Sequence, residues 1–264
     1  MCLAGDLQLC QKRQVAYRMS GAEPPHFFGT MGDYFYLPQG HPIFKIPDEL
    51  HDDEVVALNC AMGTVYQGLA SAGMRQGDHV VVLGTGGLGL YATAFAVGMG
   101  ANEVIAVDGQ SARLNLAREL GATATIDIRD LTTSRARVER VMDLTRGRGA
   151  DVALELAGYG ELVPEGISML GAWGTFVEIG NIVVGRSTTF EPRMLLGGKR
   201  MIGSSMYRPA YVPRLLDFIR THRQRLPLRK VISHKFALDD INRAFASSEW
   251  DGQSIPVIRS CIVP

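Results

Sequence analysis

The sequence lacks an excess of charge of either sign, and it also lacks long apolar runs, internal repeats and low-complexity tracts. Lysine plus arginine and aspartate plus glutamate number 27 each among the 264 residues, so no overall field favours nucleic acid or an anionic membrane as a partner. Because no run of about 18 apolar residues occurs, we expect no membrane-spanning helix. The first residues, MCLAGDLQLCQKRQ, have neither a basic start nor a long apolar segment, so we expect no secretory signal there.

Cysteine is scarce, since the chain has four: Cys2, Cys10, Cys60 and Cys261. In a chain of this size without a signal, such residues are more typical of free thiols or metal ligands than of disulfides. Apolar residues make up 46% of the sequence, which is ordinary for a globular protein and sufficient for a substantial core. We therefore expect a cytoplasmic protein that acts on small molecules.

The two ends of the chain differ in pattern from its middle. Residues 1 to about 60 are rich in glycine, proline and aromatics, which predicts short strands and turns and no long helix. The stretch PDELHDDEVVAL then predicts a helix start, because acidic residues in a first turn complement the helix dipole. After about residue 205, YVPRLLDFIRTHRQ predicts a helix and SIPVIRS a short strand. We expect these last residues to pack against the first 60, so that the two ends form one discontinuous domain.

The middle of the chain, from about residue 62 to 205, alternates apolar strands with helical segments. This alternation predicts a doubly wound α/β domain with a parallel sheet covered on both faces. The predicted strands are HVVVLG (79–84), EVIAVD (103–108), ATIDI (124–128), DVALELAG (151–158), GTFVEIG (174–180) and KRMIGSS (199–205). The predicted helices between them are GLYATAFAVGMG, SARLNLAREL, ARVERVMDLT and LVPEGISML.

A glycine-rich turn follows the first of these strands. Its glycines Gly84, Gly86 and Gly89 match G-x-G-x-x-G, with Gly87 giving further room, and Asp108 closes the next strand 19 residues after Gly89. The glycines of this pattern allow a tight turn, close approach of a pyrophosphate and close packing of the helix. The carboxylate of Asp108 accepts hydrogen bonds from ribose hydroxyls and disfavours a 2′-phosphate. It predicts NAD rather than NADP binding; the alternative is that the glycines serve packing only.

The residue Arg113, one turn beyond Asp108, is a second candidate at this site. Its guanidinium has the reach for the same ribose or for the phosphates, which keeps some NADP binding open. The sequence therefore places both an acid and a base near the adenosine end of the predicted cofactor.

Five motifs run along nearly the whole chain: IPDELHDDEVVALNCAMGTVYQGL, GDHVVVLGTGGLGLYATAFAVGMG, GRGADVALELAG, GAWGTFVEIGN and KFALDDINRAFA. Together they resemble the zinc-dependent alcohol dehydrogenases of the medium-chain dehydrogenase/reductase superfamily. The resemblance implies a Rossmann-type NAD-binding domain over 62–205, with 1–61 and 206–264 as the remnant of a GroES-like, β-rich catalytic domain. It also implies zinc-assisted hydride transfer between NAD and an alcohol, secondary or cyclic. Finally, it implies a homo-oligomer (dimer or tetramer) that forms through the edge strand near STTFEPRML and LGGKRMIGSSM.

The resemblance assigns roles to individual residues. In that family a cysteine before the nucleotide domain binds the catalytic zinc, and Cys60 in LNCAMGTVYQGL matches it. Thr64 matches a hydroxyl near the nicotinamide, and the turn at Gly180 and Asn181 is expected to pass near the nicotinamide amide.

The match departs from the family at its beginning. Cys2 and Cys10, with seven residues between them, match the last two cysteines of a structural-zinc lobe whose first two are absent from this sequence. Another catalytic cysteine, a His-Glu pair and the hydroxyl that starts the proton relay are absent as well, so we expect an N-terminally truncated member. We interpret His26, His41 and His51 as ordinary loop histidines rather than replacement ligands.

A second departure lies near the C-terminal end. Pro256 stands where some members have an arginine near the diphosphate, and we do not expect Arg259 to replace it. No Ser-His-Asp or paired-carboxylate arrangement is visible in the sequence. Two alternatives stay open: a remnant that binds NAD without turnover, and a zinc-free enzyme resembling quinone reductases, which would have no use for the matching thiols.

Overall fold

The computed structural model describes residues 5–10, 20, 22, 24, 26–27, 29–181, 184–185, 187–248 and 257–263. Within them the helices are α1 Asp52–Val55, α2 Gly63–Ala72, α3 Gly87–Gly98, α4 Ser111–Glu119, α5 Ser134–Leu144, α6 Leu162–Met169, α7 Val212–His222 and α8 Ile241–Ser248. The strands are β1 His79–Leu83, β2 Glu103–Asp108, β3 Ala124–Asp127, β4 Ala150–Glu155, β5 Leu170–Glu178, β6 Arg200–Gly203, β7 His234–Ala237 and β8 Ser260–Val263.

The first six strands form one sheet in the order β3-β2-β1-β4-β5-β6. Every neighbouring pair is parallel, which confirms the predicted doubly wound architecture. β5 begins at Leu170, earlier than the predicted GTFVEIG, and its pairing with β4 shifts register between Ala150 and Val152. The strand order reverses between β1 and β4, and ligands of open α/β sheets bind beyond the carboxyl ends of the strands at such a reversal.

Both faces of the sheet are buried because alternate residues of β1 join different cores. Val80 and Val82 belong to a core that includes side chains of α2, α3 and α7, whereas Val81 and Leu83 belong to a core with α5 and α6. Residues 89–96 of α3 are all buried. Gly89 lets the first turn of this helix lie close to the carboxyl end of β1, since a Cβ there would collide with the carbonyl oxygen of Gly84.

The N-terminal segment differs from its prediction. Within 5–10 and 29–60 the regular structure is a 3-10 turn at Leu7–Leu9, the helix α1 and the start of a π-helical turn, Leu58–Met62, and none of these residues lies in a strand. The expected short strands are therefore not found among the described residues. A strand needs a partner for its backbone amides, and the terminal strands β7 and β8 pair in parallel with each other.

The helix start at α1 was predicted correctly. His51 caps it, because its Nδ1 accepts from the backbone N–H of Asp53 at 3.2 Å while Glu54 accepts from the backbone N–H of His51 at 2.8 Å. This reciprocal arrangement is a capping box, which assigns His51 a structural role.

The two ends of the chain contact each other through ion pairs. Glu54 in α1 lies 3.1 Å from Arg223, which follows α7, and Asp53 lies 2.7 Å from Lys235 in β7. These contacts are consistent with the expected association of the first and last segments. The domain boundaries at residues 61 and 205 remain a prediction. Among the described residues, none of the helices is both long enough and apolar enough to cross a membrane.

Candidate cofactor site

The glycine turn between β1 and α3 depends on two positions where a side chain has no room. Gly84 has φ +91°, and a Cβ there would lie 2.7 Å from the Cβ of Ala157. A Cβ on Gly89 would collide with the carbonyl oxygen of Gly84. These two glycines therefore allow the turn and the close approach of the helix, as the motif predicts.

The glycine at position 86 has a different property, because space lies beside it. A Cβ on Gly86 would have no described atom within 4 Å, and its backbone angles (φ −65°, ψ −168°) are accessible to any residue. Gly86 is the N-cap of α3, so it offers no side chain to the first amides of the helix. Next to it, Thr85 is buried, and its Oγ1 has no hydrogen-bond partner among the described residues.

A cavity of about 340 Å³ opens at this turn. Gly86 and Gly87 line it together with two arginines, Arg113 from α4 and Arg259 from the residues before β8. A Cβ on Gly87 would lie 3.3 Å from both Cδ and Nη1 of Arg259. The sequence did not lead us to expect Arg259 beside the glycine turn, and Pro256 lies outside the described residues.

The carboxylate of Asp108 lies at the end of β2 and is largely buried. It accepts from the backbone N–H of Thr85 at 2.7 Å and of Gln110 at 2.9 Å, and Arg113 Nη1 lies 3.8 Å away. The carboxylate thus fastens the glycine turn to the adjacent strand. The nearby guanidinium also offsets the negative charge that was expected to repel a 2′-phosphate.

A model of the zinc-binding dehydrogenase family matches residues 87–221, from the glycine turn through α7. The chain belongs to this family. Its predicted kinship with the zinc alcohol dehydrogenases of the medium-chain superfamily is thereby confirmed.

Relatives of this dehydrogenase chain extend the match over most of its length. The 5-exo-hydroxycamphor dehydrogenase of Pseudomonas putida is 31% identical over 243 residues, which cover 91% of this chain and 67% of the relative. An alcohol dehydrogenase structure from Thermotoga maritima has a TM-score of 0.84 at 28% identity and covers 90% of this chain and 66% of that one. A zinc-binding dehydrogenase from Sinorhizobium meliloti 1021, solved with NADP bound, has a TM-score of 0.80 at 25% identity, with coverages of 100% and 72%.

The dehydrogenase chain therefore spans about two-thirds of the length of the first two of these relatives, with 67% and 66% of their residues matched.

The predicted metal ligand Cys60 lies in a single π-helical turn, Leu58–Met62, that precedes α2. Such turns occur often at functional sites. Cys60 is exposed and lines a second cavity, of about 500 Å³, together with Cys261 from β8. Thr64 lies half-buried in the first turn of α2 and lines neither cavity.

The described residues do not bring together a zinc-binding set. Among them, no three histidine, cysteine, aspartate or glutamate side chains form a group that could hold a metal ion. Cys10 lies half-buried after the 3-10 turn at Leu7–Leu9, and Cys2 lies outside the described residues. A catalytic zinc needs three protein ligands, so the described donor set does not fit this metal, and we derive no chemical step through it.

The turn at Gly180 and Asn181 follows β5 and contains a feature that the sequence did not reveal. Glu155 at the end of β4 and Glu178 at the end of β5 are register partners, and Asn181 Nδ2 donates to a carboxylate oxygen of each at 3.1 Å. The structure therefore contains a pair of carboxylates that was not visible in the sequence. The available signal was a glutamate near the end of each of two strands that could be adjacent, ALELAG and FVEIGN.

Proposed function

We propose that this chain binds NAD(H) and belongs to an oxidoreductase that moves a hydride between the cofactor and a small alcohol or ketone. The observation that carries the proposal is the open position beside Gly86, which the N-terminus of α3 and two arginines surround. Helix N-termini and guanidinium groups both favour phosphate oxygens. The NADP-bound Sinorhizobium relative adds support for a nicotinamide dinucleotide.

Each part of the cavity suits one part of a dinucleotide. The amides after Gly86 and the guanidinium of Arg259 would hold the diphosphate, while Asp108 would accept from the adenosine ribose and Arg113 would lie beside it. The turn at Gly180 and Asn181 would pass near the nicotinamide. When bound, the nicotinamide supplies the hydride acceptor, and the protein's contribution is to position it against the alcohol in a site from which water is excluded.

The second cavity is our candidate for the substrate. It lies beside the first, because Arg259 and Ser248 line both. Cys60 at its wall would be a catalytic-zinc ligand, as the family resemblance implies, only with further donors that the described residues do not bring to it. The place of Thr64 near the nicotinamide is likewise a proposal that rests on the family resemblance. The Pseudomonas relative, a 5-exo-hydroxycamphor dehydrogenase, supports a secondary or cyclic alcohol as the substrate.

A second candidate function is a chain that binds NAD(H) without turnover. The observation that favours it is the lack, among the described residues, of any three side chains that could hold a metal together. We further propose that copies of the chain associate through the free edge of β6. A cytoplasmic location also stays a proposal, which cell fractionation would test.

The test of the proposed function is a fluorescence titration with NADH, using two glycine variants. Gly86→Ala should keep the fold, since the replacement of an N-cap glycine by alanine costs at most about 1 kcal/mol. It should weaken NADH binding by at least about tenfold, or 1.4 kcal/mol, because the new methyl occupies the space for the diphosphate. Gly89→Ala should instead lower the melting temperature, since its Cβ would meet the Gly84 carbonyl.

The matched control is Gly29→Ala, where a Cβ would have no described atom within 4 Å. It should leave both NADH affinity and melting temperature unchanged. NADH binding by the wild-type chain that Gly86→Ala does not weaken would contradict the proposed site.

A further inference from the structure

Two carboxyl groups meet at the carboxyl edge of the sheet, beneath the cofactor cavity. Glu155 is fully buried and Glu178 is half-buried. The Nδ2 atom of Asn181 donates to Glu155 Oε2 and to Glu178 Oε2, at 3.1 Å in both cases. One amide nitrogen therefore holds an oxygen of each glutamate close to an oxygen of the other.

The same side chains bind the backbone of the turns that follow their strands. Glu155 Oε1 accepts from the N–H groups of Ala157 at 2.8 Å and Gly158 at 2.7 Å. Glu178 Oε1 accepts from the N–H of Asn181 at 2.9 Å. The cluster of Glu155, Glu178 and Asn181, which we name the carboxyl clamp, thus ties the turn after β4 to the turn after β5.

Glycines let the two turns approach each other at the clamp. A Cβ on Gly180 would collide with Glu155 Oε2, and a Cβ on Gly158, where φ is +81°, would lie 3.0 Å from the carbonyl oxygen of Gly180. The backbone N–H of Gly180 also donates to the carbonyl of Glu155 at 3.0 Å. The turns consequently have little freedom to move while the clamp is intact.

The clamp lies directly against the cofactor cavity. Leu156, the residue after Glu155, lines that cavity with Gly86 and Arg259. Ala157 is the residue that a side chain at Gly84 would strike, at 2.7 Å. A shift of the turn after β4 would therefore change both the wall of the cavity and the support of the glycine turn.

The clamp is suited to holding one proton. Burial, together with the charge of Glu178, raises the pKa of Glu155 to about 7, because burial disfavours the charged carboxylate and a second carboxylate beside it repels that charge. Leu83 of β1 is the register partner of Glu155, and Gly203 of β6 is that of Glu178. Of the two helices that pack on β4 and β5, α2 carries no charged residue, whereas α6 carries Glu165. Glu165 is paired with Arg137 at 2.5 Å, and Glu178 is the charged group that raises the pKa of Glu155.

We propose that the carboxyl clamp positions the turns after β4 and β5 for cofactor binding and does so only while its two carboxyls share one proton. The inference rests on the proposed function, since it concerns the same cavity. When the proton leaves, Glu155 and Glu178 repel each other across Asn181, and the turns separate. NADH affinity should then fall as the pH rises through about 7.

The same proton links the clamp to stability. Because the pKa of Glu155 in the folded chain is above its ordinary value of 4.5, the folded state binds more protons between these two pH values. The contribution of protonated Glu155 to the free energy of unfolding is therefore fully present below pH 4.5 and is lost as the pH rises through about 7.

The experiment measures the NADH dissociation constant at pH 6.0 and 8.5 and the free energy of unfolding across that range, for the wild-type chain and for Glu155→Gln and Glu178→Gln. We expect wild-type affinity to be about tenfold weaker at the higher pH, within the usual range of coupling between sites. Each variant should bind NADH almost equally at both pH values, since either substitution removes one of the two charges that repel each other. Glu161→Gln, on an exposed glutamate beyond the turn after β4, should keep the wild-type ratio.

Several results would overturn the inference. A wild-type affinity that is the same at both pH values would do so, as would an unchanged ratio in both glutamine variants. A chain that binds no NADH at either pH contradicts the proposed function instead. In that case the unfolding measurements test the shared proton without NADH. A free energy of unfolding that decreases as the pH rises in the wild type, but stays constant in Glu155→Gln, supports the shared proton. A constant free energy of unfolding in the wild type refutes it.

Discussion

Two arginines from distant parts of the sequence supply the positive charge of the cofactor cavity. Arg113 belongs to α4, soon after the glycine turn, whereas Arg259 precedes β8 near the other end of the chain. Arg113 already faces the carboxylate of Asp108 at 3.8 Å. No acidic partner within 4 Å is found for Arg259 among the described residues, so its charge is the one more available to a diphosphate.

Replacing Arg259 by glutamine should therefore weaken NADH binding. The dissociation constant should rise about tenfold, since a charge-assisted hydrogen bond contributes on the order of 1.5–3 kcal/mol. The affinity of the variant should also depend less on salt concentration than that of the wild type. Titration at low and at moderate ionic strength measures both effects.

The control for this substitution is Arg229→Gln, because Arg229 is exposed and lies away from the cavity. It should leave the dissociation constant and its salt dependence unchanged. If Arg259→Gln binds NADH as tightly as the wild type, the diphosphate lies elsewhere.

Residues of the site differed in how well the sequence predicted them, and the reason is their separation along the chain. Gly84, Gly86, Gly89 and Asp108 lie within one strand-turn-helix-strand unit, so their local spacing was sufficient. The pairing of Glu155 with Glu178 depends on which strands are neighbours and on their register. No local pattern in the sequence indicates which strands are neighbours or how they are aligned. Likewise, no local pattern indicates that Arg259 lies beside the glycine turn.

Elements were predicted well where burial alone decides their conformation. Strands such as β1 and β2 are continuous apolar runs buried on both faces, so they appear where the sequence placed them. The π-helical turn at Leu58–Met62 has no such pattern, and neither it nor α2 was predicted. The expected N-terminal strands were wrong within the described residues, because aromatic and glycine content does not provide a partner for a strand edge.

An exposed apolar patch formed by residues of β5, of β6 and of the segment between them lies at the edge of the sheet and suggests self-association. Trp173, Leu196 and Met201 are 78%, 73% and 40% exposed. Trp173 donates its backbone N–H to Gly197 at 2.9 Å, which keeps the ring beside the start of β6. An unpaired strand edge next to apolar side chains is a template for pairing with another copy.

We predict that the chain is a dimer or larger in solution and that Leu196→Glu shifts it toward monomer by at least about tenfold in dissociation constant, or 1.4 kcal/mol. Sedimentation equilibrium measures this change. Ile43→Glu is the matched control, since Ile43 is 71% exposed in the N-terminal segment. If Ile43→Glu dissociates the oligomer and Leu196→Glu does not, association runs through that segment rather than through β6.

At the scale of the whole molecule, the glycine turn and the predicted metal ligand depend on different sets of residues. The cofactor cavity is built within the sheet domain and completed by Arg259. Cys60 lies on the border between this domain and the end segments, beside Cys261 and with side chains such as Thr30 and Met31 on the same cavity. Cofactor binding and metal binding should therefore be separable in this chain.

We predict that the purified chain, after exhaustive dialysis, contains well below one zinc ion per molecule and still binds NADH. A catalytic zinc needs three protein ligands and a structural zinc four, and the described residues bring no such set together. Elemental analysis, with NADH titrations in the presence and absence of a chelator, measures both quantities. A chelator should leave the NADH dissociation constant unchanged, because the glycine turn and the arginines need no metal. Stoichiometric zinc in the wild type that is lost in Cys60→Ser would contradict this prediction and would mean that Cys60 has partners that complete a catalytic site. Stoichiometric zinc that is lost only in Cys10→Ser would place the zinc in the N-terminal segment instead.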